Sequence, residues 1–178
     1  GHDDYVRSIS YGSDGAMLAS GGDDTKVILW DPKEGTVLQT LEGHSDYVRS
    51  VDFNENGSYL VSAGDDLIIN VWDVSLGEVV AQYDGHEDYI NSVVFSPDGS
   101  TLLSCADDRL IKLWDIEAGA ELATLGQYEP EEEVGMERVY NQVVLSATFS
   151  PDGDTIATGS EEGLVSIWNS YSGEVITT

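Results

Sequence analysis

Three times the chain sets a histidine, a serine, an aspartate and a tryptophan at the same offsets. His2, Ser20, Asp24 and Trp30 recur as His44, Ser62, Asp66 and Trp72, and again as His86, Ser104, Asp108 and Trp114. A histidine oriented by a carboxylate can take the proton of a hydroxyl, so Ser, His and Asp together could build an acyl-transfer nucleophile. That chemistry needs one constellation, with an oxyanion site and a substrate cleft beside it. A set that recurs once per sequence repeat reads instead as structural. No other chemistry competes: there is no unique nucleophile–base pair, no metal-ligand cluster and no phosphate-cradling glycine loop, and no cofactor or metal is expected. The single cysteine, Cys105, excludes an intrachain disulfide and a cysteine-rich zinc site.

The elements that must position these residues follow from a repeat. Gly-His pairs stand at 1–2, 43–44 and 85–86, and Trp30, Trp72 and Trp114 keep the same period of 42; Trp168 follows 54 later. The fourth copy is altered. In "GQYEPEEEVGMERVYNQVV" (126–144), Gln127 stands for the histidine and thirteen extra residues precede the apolar run; Glu162 replaces the aspartate, while Thr158 and Trp168 are kept. Each copy reads as four short strands. The first ("YVRSISY", "YVRSVDF", "YINSVVF", "VVLSATF") ends at Asp-Gly or Asn-Gly turn chemistry. The second ("MLASGG" and equivalents) ends in an acidic turn, the third carries the tryptophan, and the fourth follows a glycine. Short strands at even spacing and a fixed period predict an all-β radial architecture. The units span about 1–42, 43–84, 85–125 and 126–178, with an acidic insertion at 127–143.

Gly-His, then "SPDG", then "LASGG", an acidic turn and Trp-Asp, repeated at fixed offsets, resembles the WD-repeat (WD40) β-propeller family along the whole chain. The resemblance implies four four-stranded antiparallel blades around a central channel. It also implies that each set is a hydrogen-bond chain from the Trp indole through Ser and His to Asp, each link contributing on the order of 1 kcal/mol. With Gln127 and Glu162 that chain is in doubt in the fourth blade, which is expected to be the least rigid. Ile9, Val51, Val93, Ala147, Leu18, Leu60, Leu102 and Ile156 are expected to fill the space between blades. Cys105 stands where Gly21, Ala63 and Gly159 stand, a position for a small, packed side chain.

By the same resemblance, partners bind on the narrower face of the disc. The exposed positions expected there are Tyr5, Arg7, Asp23; Tyr47, Arg49, Asp65; Tyr89, Asn91, Asp107; and Val143, Leu145, Glu161 in the fourth blade. Tyrosine and arginine are common interface anchors. The three tyrosines read either as an aromatic arc around the channel mouth or as residues packing on their own Gly-His loops. The insertion brings Glu129, Glu131, Glu132, Glu133 and Glu137, interleaved with Val134, Met136, Val139 and Tyr140. It reads as a solvated loop or as a docking loop for a basic partner, and it lacks the spaced Asp/Asn-and-Gly pattern of calcium loops.

Composition narrows the partners further. Thirty-four acidic residues against seven basic ones give a net charge of −27. Nucleic acid and anionic membrane would be repelled, leaving a protein or peptide, a basic one above all. Such a surface also suits a high-salt cytoplasm, where screening relieves self-repulsion. No apolar run is long enough to span a membrane, and the expected setting is cytoplasmic. Four blades of roughly 45° each would make half a ring, so closure is expected from a homodimer with eight blades, or the chain is one half of a longer propeller. The functional reading is a non-catalytic protein-interaction scaffold. The alternatives are a self-assembling structural repeat without a dedicated ligand, a fragment of a larger regulatory protein, and an enzyme with its site at the channel mouth.

Overall fold

Turn chemistry cuts the chain into strands. After each first strand a glycine takes the left-handed φ that the tight turn needs: Gly15, Gly57, Gly99 and Gly153, between 68° and 79°. The computed structural model describes residues 1–125 and 142–178, and all sixteen regular elements there are strands. The first sheet is β1 (Val6–Tyr11), β2 (Leu18–Gly22), β3 (Val27–Asp31) and β4 (Thr36–Leu41). The second is β5 (Val48–Phe53), β6 (Tyr59–Gly64), β7 (Ile69–Asp73) and β8 (Glu78–Tyr83). The third is β9 (Ile90–Phe95), β10 (Thr101–Ala106), β11 (Ile111–Asp115) and β12 (Ala120–Leu125). The fourth is β13 (Val144–Phe149), β14 (Thr155–Ser160), β15 (Val165–Asn169) and β16 (Val175–Thr177). Every sheet is an antiparallel meander in chain order. The fold is therefore all-β, built of four propeller-type blades.

The blades stack through their faces. Ala19, Val27, Leu29 and Leu41 of the first pack on Val48, Val51, Phe53, Leu60 and Trp72 of the second. Val61, Ala63, Ile69 and Val71 meet Ile90, Val93, Phe95 and Leu102 of the third. Leu103, Cys105, Ile111 and Leu113 meet Val144, Ala147, Ile156 and Trp168 of the fourth. Cys105 is fully buried in that last cluster, and burial pushes its thiol well above the ordinary value.

Period-2 alternation gives each first strand two jobs. Val48, Val51 and Phe53 of β5 face back into the cluster shared with the first blade, while Ser50 and Asp52 face forward. Ser50 Oγ accepts the Val93 amide at 3.0 Å and Asp52 Oδ2 accepts the Phe95 amide at 3.0 Å. In β1 the forward pair is Ser8 and Ser10, which accept the Val51 and Phe53 amides at 3.2 and 3.4 Å. Among the described residues, nothing packs behind the backward set of β1. Ile9 is 64% exposed where Val51 is 4%, and Leu18 is half-buried where Leu60 is fully buried. Ile9 and Leu18 thus depart from the expectation that they fill a space between blades: the residue types are right, but among the described residues no blade packs behind β1.

Candidate functional site

The recurring Ser, His, Asp and Trp residues come together in each of the first three blades. In the second, Trp72 Nε1 donates to Ser62 Oγ at 2.7 Å, Ser62 Oγ lies 2.6 Å from His44 Nε2, and His44 Nδ1 lies 2.8 Å from Asp66 Oδ2. The first blade repeats this with Trp30, Ser20, His2 and Asp24 at 2.7, 2.7 and 2.8 Å. The third does so with Trp114, Ser104, His86 and Asp108 at 2.8, 2.7 and 2.7 Å. One ordering of protons satisfies every group: indole to Ser Oγ, Ser hydroxyl to His Nε2, His Nδ1–H to carboxylate. Asn70 Nδ2, 3.1 Å from His44 Nε2, shares that nitrogen's single lone pair with the shorter Ser62 hydroxyl bond. Ser62 and Ser104 are fully buried, so their hydroxyls meet no substrate. The sets tie the third strand, the second strand, the loop before the first strand and the following turn into one unit.

Each carboxylate also holds the backbone around it. Asp66 accepts the amides of Ser45 and Ile68 at 3.1 and 3.2 Å, and Asp108 those of Glu87 and Leu110 at 3.0 and 2.9 Å. Burial pushes the Asp66 and Asp108 carboxyls up, but the histidine and these amides outweigh it and hold both below the ordinary carboxylate value.

In the fourth blade Trp168 Nε1 donates to Thr158 Oγ1 at 2.9 Å. Gln127 lies outside the described residues. A buried glutamine that sequence reading missed, Gln142, bonds the Ser160 hydroxyl through Oε1 and lies 3.3 Å from Glu162 Oε2 through Nε2. Gln142 stands two residues before β13, and its partner Ser160 occupies the position of Gly64, not that of Ser62, so the spacing of the first three sets does not point to it.

The second group of residues lies at one end of the first strands. Arg7 clasps Asp23 through Nε and Nη2 at 2.6 and 2.5 Å, and Arg49 does the same to Asp65 through Nε and through Nη2 at 3.1 Å. Asn91 Nδ2 donates to Asp107 at 2.6 Å and to the Val144 carbonyl at 3.1 Å, while Arg49 Nη1 donates to Asn91 Oδ1 at 3.2 Å. These polar residues are not independent exposed contacts. Asp23 is buried, and the Asp65 side chain is 8% exposed, because an arginine covers each. In the fourth blade Leu145 and Glu161 are both exposed and half-buried Val143 stands at the tyrosine position, its carbonyl accepting the Glu161 amide at 3.1 Å.

The tyrosines remain open. Tyr5, Tyr47 and Tyr89 are 74%, 41% and 43% exposed. Their backbones are fixed: each carbonyl accepts the amide of the following acidic turn, Asp23, Asp65 or Asp107, at 2.8–2.9 Å. Arg49 lies 5.1 Å from the centre of the Tyr89 ring and Arg7 5.8 Å from that of Tyr5. The arrangement is a row of aromatic rings on a hydrogen-bonded shelf of two Arg–Asp pairs and one Asn–Asp pair. Glu131, Glu132, Glu133 and Tyr140 lie outside the described residues. Among the described residues, no three His, Cys, Asp or Glu side chains are grouped to hold a metal ion.

Comparison with known proteins gives the same periodicity. The family model described as "WD domain, G-beta repeat" (WD40) matches residues 1–31, 35–73, 77–115 and 138–169. Among curated proteins, the small ribosomal subunit protein RACK1 of Drosophila melanogaster is 43% identical over 42 residues, 24% of this chain and 13% of that protein. That of Caenorhabditis elegans is 46% identical over 43 residues, again 24% and 13%. Each alignment is one repeat long.

Proposed function

The chain belongs to the WD40 family, and from that premise we propose that it is a non-catalytic scaffold that binds a partner protein through the tyrosine shelf. The observation that supports this reading is the contrast within one site. The polar residues are spent on one another, while three aromatic rings stay exposed on backbones pinned to the acidic turns. Rigid aromatic area loses little conformational entropy on binding, and Arg–Asp pairs hold it in place rather than competing for the ligand. The net charge of −27 favours a basic protein or peptide, with Glu131, Glu132, Glu133 and Tyr140 of the insertion as candidate contacts beside the shelf. The relatives' name sets them in the small ribosomal subunit. That setting is not carried over to this chain, since RNA would repel it. The cytoplasmic setting expected from the sequence belongs to the same proposal, as does closure of an eight-bladed ring by a second copy.

The test is a quantitative affinity capture with Tyr47→Ala/Tyr89→Ala beside Leu38→Ala/Leu122→Ala. Both pairs remove exposed side chains, the second on the outer strands. Loss of the same captured proteins in the tyrosine variant alone supports the shelf. Equal capture by both variants and the parent places binding elsewhere.

A further inference from the structure

The two ends of the four-blade array carry the two halves of the interface found between the first and second blades and between the second and third. We propose that they join head to tail between two copies of this chain, with the Ser146 and Thr148 hydroxyls of one copy receiving the Ile9 and Tyr11 amides of the other. This rests on the reading that a second copy closes the ring, and it specifies the seam.

Hydrogen-bond register supplies the first line of argument. At the first interface, forward-facing side chains of β1 accept amides of β5, from Val51 to Ser8 and from Phe53 to Ser10. At the second, β5 repeats it on β9, from Val93 to Ser50 and from Phe95 to Asp52. The separation from acceptor to donor residue is 43 in all four. Position by position, β13 presents the same pair. Ser146 and Thr148 pair with Gly159 and Ala157 as Ser8 and Ser10 pair with Gly21 and Ala19. Both are exposed. At the opposite end, Ile9 pairs with Ser20 as Val51 pairs with Ser62, so the Ile9 amide points off the sheet as that of Val51 does. A β1 from a second copy, set before β13 as β5 is set before β1, places amides on both hydroxyls.

Apolar complementarity supplies the second. Ile9 and Tyr11 are 64% and 59% exposed, whereas Val51 and Phe53 at the same positions are 4% and 7%. On the fourth blade Val165 is 63% exposed where Val27 is fully buried. Val27 and Val51 belong to one cluster across an interface already formed in this chain. The unpaired Val165 and Ile9 are the corresponding pair. The occupant that continues this interface without change of register is this chain's own first blade. Two copies joined head to tail at both ends make a closed cyclic pair with no apolar end left open.

Net charge sets the condition. Each copy carries −27, so assembly is opposed at low ionic strength and released as salt shortens the screening length from about 10 Å at 0.1 M to about 3 Å at 1 M.

The experiment is mass by sedimentation across a salt series, with far-UV circular dichroism to verify the fold of each variant. The parent is expected at about 38 kDa, twice the 19.2 kDa chain, with the dimer favoured by salt. Ile9→Glu and Val165→Arg replace exposed residues, so each is expected to stay folded and monomeric. Mixing the two is expected to restore a dimer, since one seam is then native and the other pairs Glu with Arg. Ser146→Ala/Thr148→Val is expected to weaken the dimer at least roughly 30-fold in Kd, from four neutral hydrogen bonds, two at each of two seams. A parent that stays at 19.2 kDa at every salt concentration overturns both seam and ring. A dimer indifferent to Ile9→Glu and Val165→Arg overturns the seam. A dimer broken by those two and indifferent to Ser146→Ala/Thr148→Val overturns the hydroxyl pairing and leaves the ring standing. Open-ended polymers sensitive to all of them support the seam and overturn the ring.

Discussion

Replacing Ser62 by alanine separates a fully buried hydrogen-bond chain from a wetter copy of itself. Ser62 Oγ is the hinge of the second blade's set: it takes the Trp72 indole N–H at 2.7 Å and lies 2.6 Å from His44 Nε2. Ser62 and Trp72 are 0% and 1% exposed, so after Ser62→Ala the indole N–H has no water to turn to. His44 keeps Asn70 at 3.1 Å on the same nitrogen and is partly compensated. One orphaned buried donor costs roughly 1–3 kcal/mol, and a lost neutral bond about 1 kcal/mol more. The expected loss is therefore about 2–4 kcal/mol. In the first blade Trp30 is half-buried at the open end of the array, so water can reach the indole once Ser20→Ala is made. There the expected loss is about 1 kcal/mol. Urea unfolding followed by circular dichroism reads both. With a slope of about 1–3 kcal/mol per molar urea, the Ser62 variant shifts its midpoint by roughly 1 M or more, and further than the Ser20 variant. Equal shifts for the two variants, or a Ser62 shift indistinguishable from zero, would refute the reasoning.

Three further outcomes follow from the described contacts. Asp52 is pushed above the ordinary carboxylate value by burial, so its charged form opposes folding: its contribution is favourable at low pH and lost as pH rises through the folded value. Asp52→Asn, which can still accept the Phe95 amide and donate to Ser10, is expected to raise Tm at pH 7 and to lose that advantage below pH about 4. Asp66 and Asp108 have the opposite sign, held low against burial by histidine and amides. Their stabilisation is present above the unfolded value of about 4 and lost as pH falls through the folded one, so acid unfolding of Asp66→Asn is expected to be shallower than that of the parent. Thr25 is β-branched and sits at φ 67°, where Gly163 sits in the fourth blade at 83°; Thr25→Gly is expected to stabilise by up to about 1 kcal/mol in urea, relief of left-handed strain outweighing glycine's entropy.

The blades were legible because the repeat writes them four times. Turn glycines, alternating runs and tryptophans mark the strands at the same offsets, and β1, β5, β9 and β13 begin within a residue of the quoted apolar runs. Exposure was not legible. Ile9 and Val51 are the same kind of residue at the same position, and only the presence of a preceding blade makes one 64% and the other 4% exposed. Pairing across the sheet was equally hidden. The sequence presents Arg7 and Asp23 as two separate contacts for a partner, and their 16-residue separation becomes a hydrogen-bond distance only once the β1–β2 hairpin folds it together. Gln142 was not legible because the first three sets place the histidine next to the glycine, whereas Gln142 lies two residues before β13 and bonds Ser160 and not Thr158.

Each sheet draws all its strands from one continuous stretch of chain, in the order in which they pair. A break in the covalent backbone between Tyr83 and Gly85, in the link from β8 to β9, would sever no ladder of strand bonds and would leave two pieces with whole sheets. Such pieces would find each other again through side-chain packing and the two amides caught by Ser50 and Asp52. The matched repeats 35–73 and 77–115 each take the fourth strand of one sheet with three strands of the next, so repeat and blade share a length and differ in phase by one strand. Duplicating or deleting a stretch of DNA one blade long changes the number of blades without cutting through any of them.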